Sequence, residues 1–263
     1  MSDKKLGEMF EELTGIVARL REPDGCPWDR EQTHASLLPF FLEEAYEVME
    51  SVDQENWSEL KEELGDILLH TIMQALIAEE NGYFKLNESI NHVSEKLVRR
   101  HPHVFGDAKA DAAFEAKQNW EATKHKEKKR ASRLDGVPVT LPALVRAQRL
   151  QQKASYTGFD WDKIEQVWEK VHEEIQELKE AESEEAKEHI EEEIGDVLFA
   201  IVNLARFLDI PAEDALRKSN KKFTTRFAGI EKELKKRGKT LEESNLEEMD
   251  EIWNQVKKNN GCL

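Results

Sequence analysis

A chain of 263 residues with 35% charged side chains cannot be a helical membrane protein, since no apolar run approaches the ~20 residues that a spanning helix needs. Its 55 acidic and 38 basic residues leave a net charge of −17, which argues against a nucleic-acid binder because a phosphate backbone would be repelled, yet leaves room for a small anion accompanied by metal. Cys26 and Cys262 stand in no paired spacing, so neither a disulfide framework nor a zinc site is suggested, and the opening Met-Ser-Asp-Lys-Lys lacks the apolar core of a secretory signal, which predicts a cytoplasmic protein.

Apolar residues recur at helical spacing almost throughout. Leu6, Met9, Phe10, Leu13, Ile16, Val17 and Leu20 predict a first helix over 5–21. Trp28-Asp29 follows, and then a helix over 37–53 that carries Glu43-Glu44-Ala45-Tyr46-Glu47. Leu60, Leu64, Ile67, Leu68, Ile72 and Leu76 predict a helix over 57–80, which carries Glu62-Glu63-Leu64-Gly65-Asp66. Helices over 88–100 and 111–128 hold Lys96 with Arg100 and Trp120 with Lys124. Periodicity stops at 129–140, where Gly136 and Pro138 punctuate the chain; this is the expected linker between a domain over 1–128 and another over 141–263.

Beyond the linker the same order returns. A helix over 141–156 is followed by Trp161-Asp162, then by helices over 162–182 and 185–208 with Glu173-Glu174-Ile175-Gln176-Glu177 and Glu192-Glu193-Ile194-Gly195-Asp196. The helix over 212–236, opened by Pro211 and closed by Gly238, carries Lys222 and Arg226, and the last, over 245–258, carries Trp253 and Lys257. The predicted fold class is all-α, a tandem repeat of two helical bundles. A duplicated scaffold needs only its apolar positions repeated, so the return of acids, cations and aromatics in order predicts a duplicated site.

The acids point to a cation. Residues three apart share a helical face, so Glu44 projects with Glu47 and Glu63 with Asp66. Both pairs are symmetric about residue 55, which in an antiparallel hairpin sets Glu44 against Asp66 and Glu47 against Glu63. Glu174, Glu177, Glu193 and Asp196 repeat this about residue 185. Phe41 and Val48 flank Glu44, and Leu60 and Ile67 flank Glu63, which places these acids on the edge of the apolar stripe. Four such carboxylates would cost several kcal/mol unless protonated or sharing a cation, and oxygen donors alone suit a hard ion, Mg²⁺ or Mn²⁺. Glu43, Glu62, Glu173 and Glu192 fit a solvated acidic face equally well. A di-iron carboxylate bundle needs Glu-x-x-His on two helices; Glu31/His34 and Glu169/His172 have that spacing, but not at equivalent positions of the two halves.

Lys96/Arg100 and Lys222/Arg226 each share a face and suit adjacent phosphates, while Trp120 and Trp253 beside Lys124 and Lys257 offer an aromatic plane and a further cation. A nucleotide polyphosphate fits this set best. No glycine-rich phosphate loop is present, which argues against a P-loop enzyme.

Gly25-Cys26-Pro27-Trp28-Asp29, the two pairs of acidic motifs, Arg99-Arg100-His101-Pro102-His103-Val104-Phe105 and Gly158-Phe159-Asp160-Trp161 together resemble the MazG family of two-domain nucleoside triphosphate pyrophosphohydrolases, over nearly the whole chain. The resemblance implies an all-α fold, Mg²⁺ dependence, a homodimer, and hydrolysis of nucleoside triphosphates to monophosphate and pyrophosphate, with a role in removing unwanted nucleotides. It also implies that Glu174, Glu177, Glu193 and Asp196 hold Mg²⁺, with Glu44, Glu47, Glu63 and Asp66 as first-half counterparts. Lys222, Arg226 and Trp253 match nucleotide-contacting positions, mirrored by Lys96, Arg100 and Trp120; Glu173 and Lys257 join the expected nucleotide set. Glu193 and its neighbour Glu192, which would orient or deprotonate a water, are the expected catalytic pair. His101-Pro102 should end its helix and leave Arg100 loosely held, so the second half is expected to be the main catalytic site. The competing expectation is a non-enzymatic helical protein whose acidic surface binds basic partners.

Overall fold

The computed structural model describes residues 5–106, 113–128, 131–183 and 186–259. The first four residues, Cys262, positions 129–130 of the expected linker and the symmetry centre at 185 lie outside the described residues. Among the described residues all regular structure is α-helical, and no helix is long and apolar enough to cross a membrane. Two compact units, Met1–Asp111 and Ala112–Leu263, divide the chain.

The first unit holds α1 (Leu6–Arg21), α2 (Pro27–Glu31), α3 (Leu38–Asp53), α4 (Trp57–Glu80), α5 (Leu86–Arg100) and α6 (Pro102–Phe105). Its core is built from Val17 of α1, Leu37, and Ile72, Met73 and Ile77 of α4, with Phe10, Leu13, Leu69, Leu76 and Leu86 packed around them. The α3–α4 hairpin turns at Glu55, whose φ of 53° is the left-handed conformation that reverses the chain. Asn56 then caps α4: its backbone N–H donates to Ser51 O at 2.9 Å, and its side-chain oxygen accepts from the Glu59 N–H at 3.3 Å. The centre of symmetry in the sequence is therefore a real turn. The short helices α2 and α6, absent from the sequence expectation, both begin at a proline, which suits a first helical position while ending what precedes it.

The second unit holds α7 (Ala113–Glu127), α8 (Ala143–Ser155), α9 (Ile164–Ser183), α10 (Lys187–Phe207), α11 (Ala212–Lys236) and α12 (Leu246–Asn259). Val167 and Val171 of α9 meet Ala200 and Leu204 of α10 in one core, and Ile230 and Leu234 of α11 meet Ile252 of α12 in another. Gly229 allows α11 and α12 to approach closely, since a Cβ there would lie 2.9 Å from Val256 Cγ2.

The division between units falls before α7, whereas the sequence expectation places it at 129–140. The reason is polar: Glu121 of α7 accepts from Lys153 at 3.1 Å and from Arg149 at 3.4 Å, both on α8, and Gln118 donates to Tyr156 O at 3.0 Å. Lys153 is itself buried, so this pairing is what permits its charge in the interior. Trp120 and Lys124, expected as first-half site residues, accordingly belong to the second unit.

Candidate functional site

The first hairpin brings Glu44 of α3 to Glu63 and Asp66 of α4, with ligand oxygens all within 4.8 Å of one another. Glu47, on the same face one turn later, stands outside that trio but touches the Glu44 carboxyl by a hydrogen bond. Helical spacing supplies the pairs and the Glu55 turn faces them. Desolvation, then the charge of Asp66 and the adjoining carboxylates, pushes Glu44 up to about 7; desolvation and the charge of Glu47 also raise Glu63. The desolvation and mutual repulsion that raise these groups are what a shared proton or a bound cation would relieve.

The second hairpin gathers Glu174 and Glu177 of α9 with Glu193 of α10 in the same way. Asp196 is exposed and is not among the three that converge. Glu174 and Glu193 are 7% and 9% exposed, deep enough for their charge to require a partner. Lys170, one turn before Glu174, supplies part of it, with Nζ 2.7 Å from Glu174 and 2.8 Å from Glu173. These bonds raise the Lys170 pKa and fix it as a cation. His189 Nε2 lies 3.3 Å from the Glu193 Oε1 atom, while Glu193 Oε2 is buried with no hydrogen-bond partner among the described residues. Desolvation, followed by the charge of Glu174, raises Glu177. An orphaned buried carboxylate oxygen among converging acids fits a hard divalent ion, which would satisfy it through oxygen donors alone. Glu192, next to Glu193, is exposed.

The cations and aromatics fall out differently in the two units. On α11 and α12 the Arg226 guanidinium carbon stands 5.4 Å from the centre of the Trp253 ring, and Phe223 lies 5.5 Å from the same ring. Lys222 and Lys257 are exposed. In the first unit α5 does end at Arg100, with His101 as its cap, but Arg100 is 5% exposed. Burial, not position in a continuing helix, fixes this side chain, so the expectation of a loosely held Arg100 is corrected. Lys96 is half-buried one turn before it.

Lys170, His189, His70 and Phe223 escaped the sequence argument for one reason. Their positional counterparts in the other half are Phe40, Glu59, Ala200 and Leu97, so a search for repeated residues passes over them. The spacing of Lys170 four before Glu174 was the available signal. Of the histidines with di-iron spacing, His34 pairs with Gln74 and stacks on Tyr83, and His172 lies 2.7 Å from Trp168 O through Nδ1; neither joins a converging set of acids.

Compared with known domain families, residues 32–105 and 163–228 match the MazG nucleotide pyrophosphohydrolase domain, which spans both acidic hairpins. The chain is 48% identical over 256 residues to the nucleoside triphosphate pyrophosphohydrolase/pyrophosphatase MazG of Thermotoga maritima, covering 97% of this chain and 98% of that protein. It is 44% identical over 257 residues to the nucleoside triphosphate pyrophosphohydrolase of Escherichia coli K12, covering 95% and 97%. It also shares 46% identity with the uncharacterized protein YabN of Bacillus subtilis, of which it covers 53%.

Proposed function

The chain belongs to the MazG nucleotide pyrophosphohydrolase family, and from that premise we propose that it hydrolyses nucleoside triphosphates to monophosphate and pyrophosphate, using a divalent metal held by the second acidic hairpin, in the service of nucleotide-pool cleaning. The observation that carries the metal reading is the buried, unpartnered Oε2 of Glu193 among converging acids. Glu174, Glu177 and Glu193 would hold the ion, Mg²⁺ or Mn²⁺, with Asp196 reaching in from the exposed side of α10. When bound, the ion supplies positive charge that neutralises the triphosphate and polarises the attacking water.

Water attacks the α-phosphorus, the α–β bridging bond breaks, and pyrophosphate leaves with the bridging oxygen. Glu192, free to turn toward solvent, orients that water and takes its proton. Lys222 and Arg226 offset charge growing on the departing pyrophosphate, with Lys257 adding a further cation. Trp253 and the exposed Phe223 offer aromatic surface to the base, which makes recognition tolerant of base identity. Lys170, a cation between Glu173 and Glu174, would supply positive charge to a phosphate bound beside these acids.

A homodimer is part of this reading. Phe40, Phe41 and Leu42 of α3 and Ile194, Leu198 and Phe199 of α10 are exposed apolar side chains of the kind that a second copy covers. The non-enzymatic reading, an acidic surface for basic partners, has no observation in its favour beyond net charge. Incubation of the chain with mixed nucleoside triphosphates and Mg²⁺ tests the proposal: pyrophosphate release that disappears with EDTA supports it. Orthophosphate as the product, or no release at all, would overturn it.

A further inference from the structure

With Trp28-Asp29 and Trp161-Asp162 set in register, Arg146, Arg149 and Lys153 of α8 stand where α1 has Leu13, Ile16 and Leu20. Positions three, four and seven apart share a helical face, so an apolar face of the first unit returns as a cationic face in the second. A scaffold repeated for packing alone would have kept these positions apolar.

Little neutralises that face. The one acid at ion-pair distance among the described residues is Glu121 of α7, 12% exposed, with Oε2 3.1 Å from Lys153 Nζ and Oε1 3.4 Å from Arg149. Lys124 of α7 approaches the same Oε1 at 3.5 Å. Desolvation raises the Glu121 carboxyl, but Lys153, Lys124 and Arg149 more than offset it and hold the group below its usual range, so it carries a full negative charge. That single charge is matched by Lys153, whose side chain is 5% exposed. Arg149, which also donates to Gln152, is left in excess. So is Arg146, which is half-buried, forms no ion pair among the described residues, and has an enclosed Nε without a hydrogen-bond partner there.

Positive charge held partly out of water is costly unless an anion shares it. Composition does not account for the excess, since the chain as a whole carries a net charge of −17. Two guanidinium forks one helical turn apart, backed by a buried ammonium, match adjoining phosphate groups. Neither α7 nor α8 carries a residue of the acidic hairpins or of the Arg226–Trp253 pair.

We propose that the α7–α8 junction binds a diphosphate group, either free pyrophosphate or the diphosphate of a nucleotide, held by Arg146, Arg149 and Lys153. Glu121 keeps Lys153 and Arg149 in place for it. This binding requires neither metal nor turnover, so it stands or falls separately from hydrolysis at the second acidic hairpin.

The test is calorimetric titration of the full chain in EDTA, once with inorganic pyrophosphate and once with ADP, the two sources of that group. The double variant Arg146→Gln/Arg149→Gln keeps the Lys153–Glu121 pair and should weaken binding of either anion by about tenfold or more. The double variant Lys222→Gln/Arg226→Gln, on α11, should change it by less than about threefold. The reverse pattern, equal losses in both variants, or no binding of either anion to the wild-type chain overturns the proposal. Should the α8 variant fail to fold, labelling of wild-type arginines by phenylglyoxal, read by peptide mass spectrometry, decides. Protection of Arg146 and Arg149 by pyrophosphate supports the site, and unchanged labelling overturns it.

Discussion

The Arg226 guanidinium carbon lies 5.4 Å from the centre of the Trp253 indole, so a cation of α11 is held against an aromatic ring of α12. Such a contact contributes about 1 kcal/mol where the pair is partly exposed, and it also sets the direction in which the guanidinium points. Trp253 packs at the same time against the core formed by Ile230, Leu234 and Ile252, which gives the cation a rigid support.

Arg226→Lys keeps the charge but loses the planar fork and its stacking. The KM for nucleoside triphosphate should rise about fivefold with the melting temperature little changed, the equivalent of ~1 kcal/mol. An unaltered KM would show that the Arg226–Trp253 contact only joins two helices.

Glu193→Gln replaces a buried carboxylate that lacks a full set of partners. In EDTA the variant should be as stable as the parent or more so, because an uncompensated charge is removed; with Mg²⁺ its pyrophosphate release should fall by about 100-fold or more. A destabilised metal-free variant, measured by thermal melting, would contradict the account of that oxygen.

The first centre predicts a pH dependence with a definite sign. Glu44 titrates near 7 in the folded chain against an ordinary 4.5, so between those values the folded state keeps a proton that the unfolded state has released. Stability should therefore fall as pH rises from about 4.5 to about 7, with Glu63 acting in the same direction. Urea midpoints measured in EDTA across this range should decline for the wild-type chain and be flatter for Glu44→Gln; parallel curves would rule out Glu44 as the source.

Gly229→Ala puts a methyl group 2.9 Å from Val256 Cγ2 at the α11–α12 contact and should cost about 1–3 kcal/mol in urea denaturation. Gly15→Ala in α1, where nothing lies within 4 Å, should instead gain up to about 1 kcal/mol from helix propensity. Similar effects at both positions would mean that Val256 moves aside.

Most helices were legible because the apolar period of an amphipathic helix is written directly in residue order. Each long helix begins and ends within two residues of its expected place, as Leu38–Asp53 and Trp57–Glu80 illustrate. The misses are short and share a cause. Pro102 reads as a break after Arg100 and Pro27 lies between two expected helices, but a proline can end one helix and open the next, and each opens a short helix here. Carboxylate spacing was legible too, since three-residue steps fix a helical face whatever surrounds it.

What residue order determined by itself was therefore local and periodic: the helices, the pairing of acids on each, and the turn at Glu55 about which the first set folds. Tertiary structure decided everything that depends on burial and on neighbours distant in sequence. It placed α7 with α8 through Glu121, buried Arg100, left Asp196 outside the converging trio, and set His70 against Glu44. The physical reason is that repetition reveals only what both halves share. Differences between the centres come from unrepeated side chains, Lys170 and His70, whose effect depends on which carboxylate the packing brings beside them.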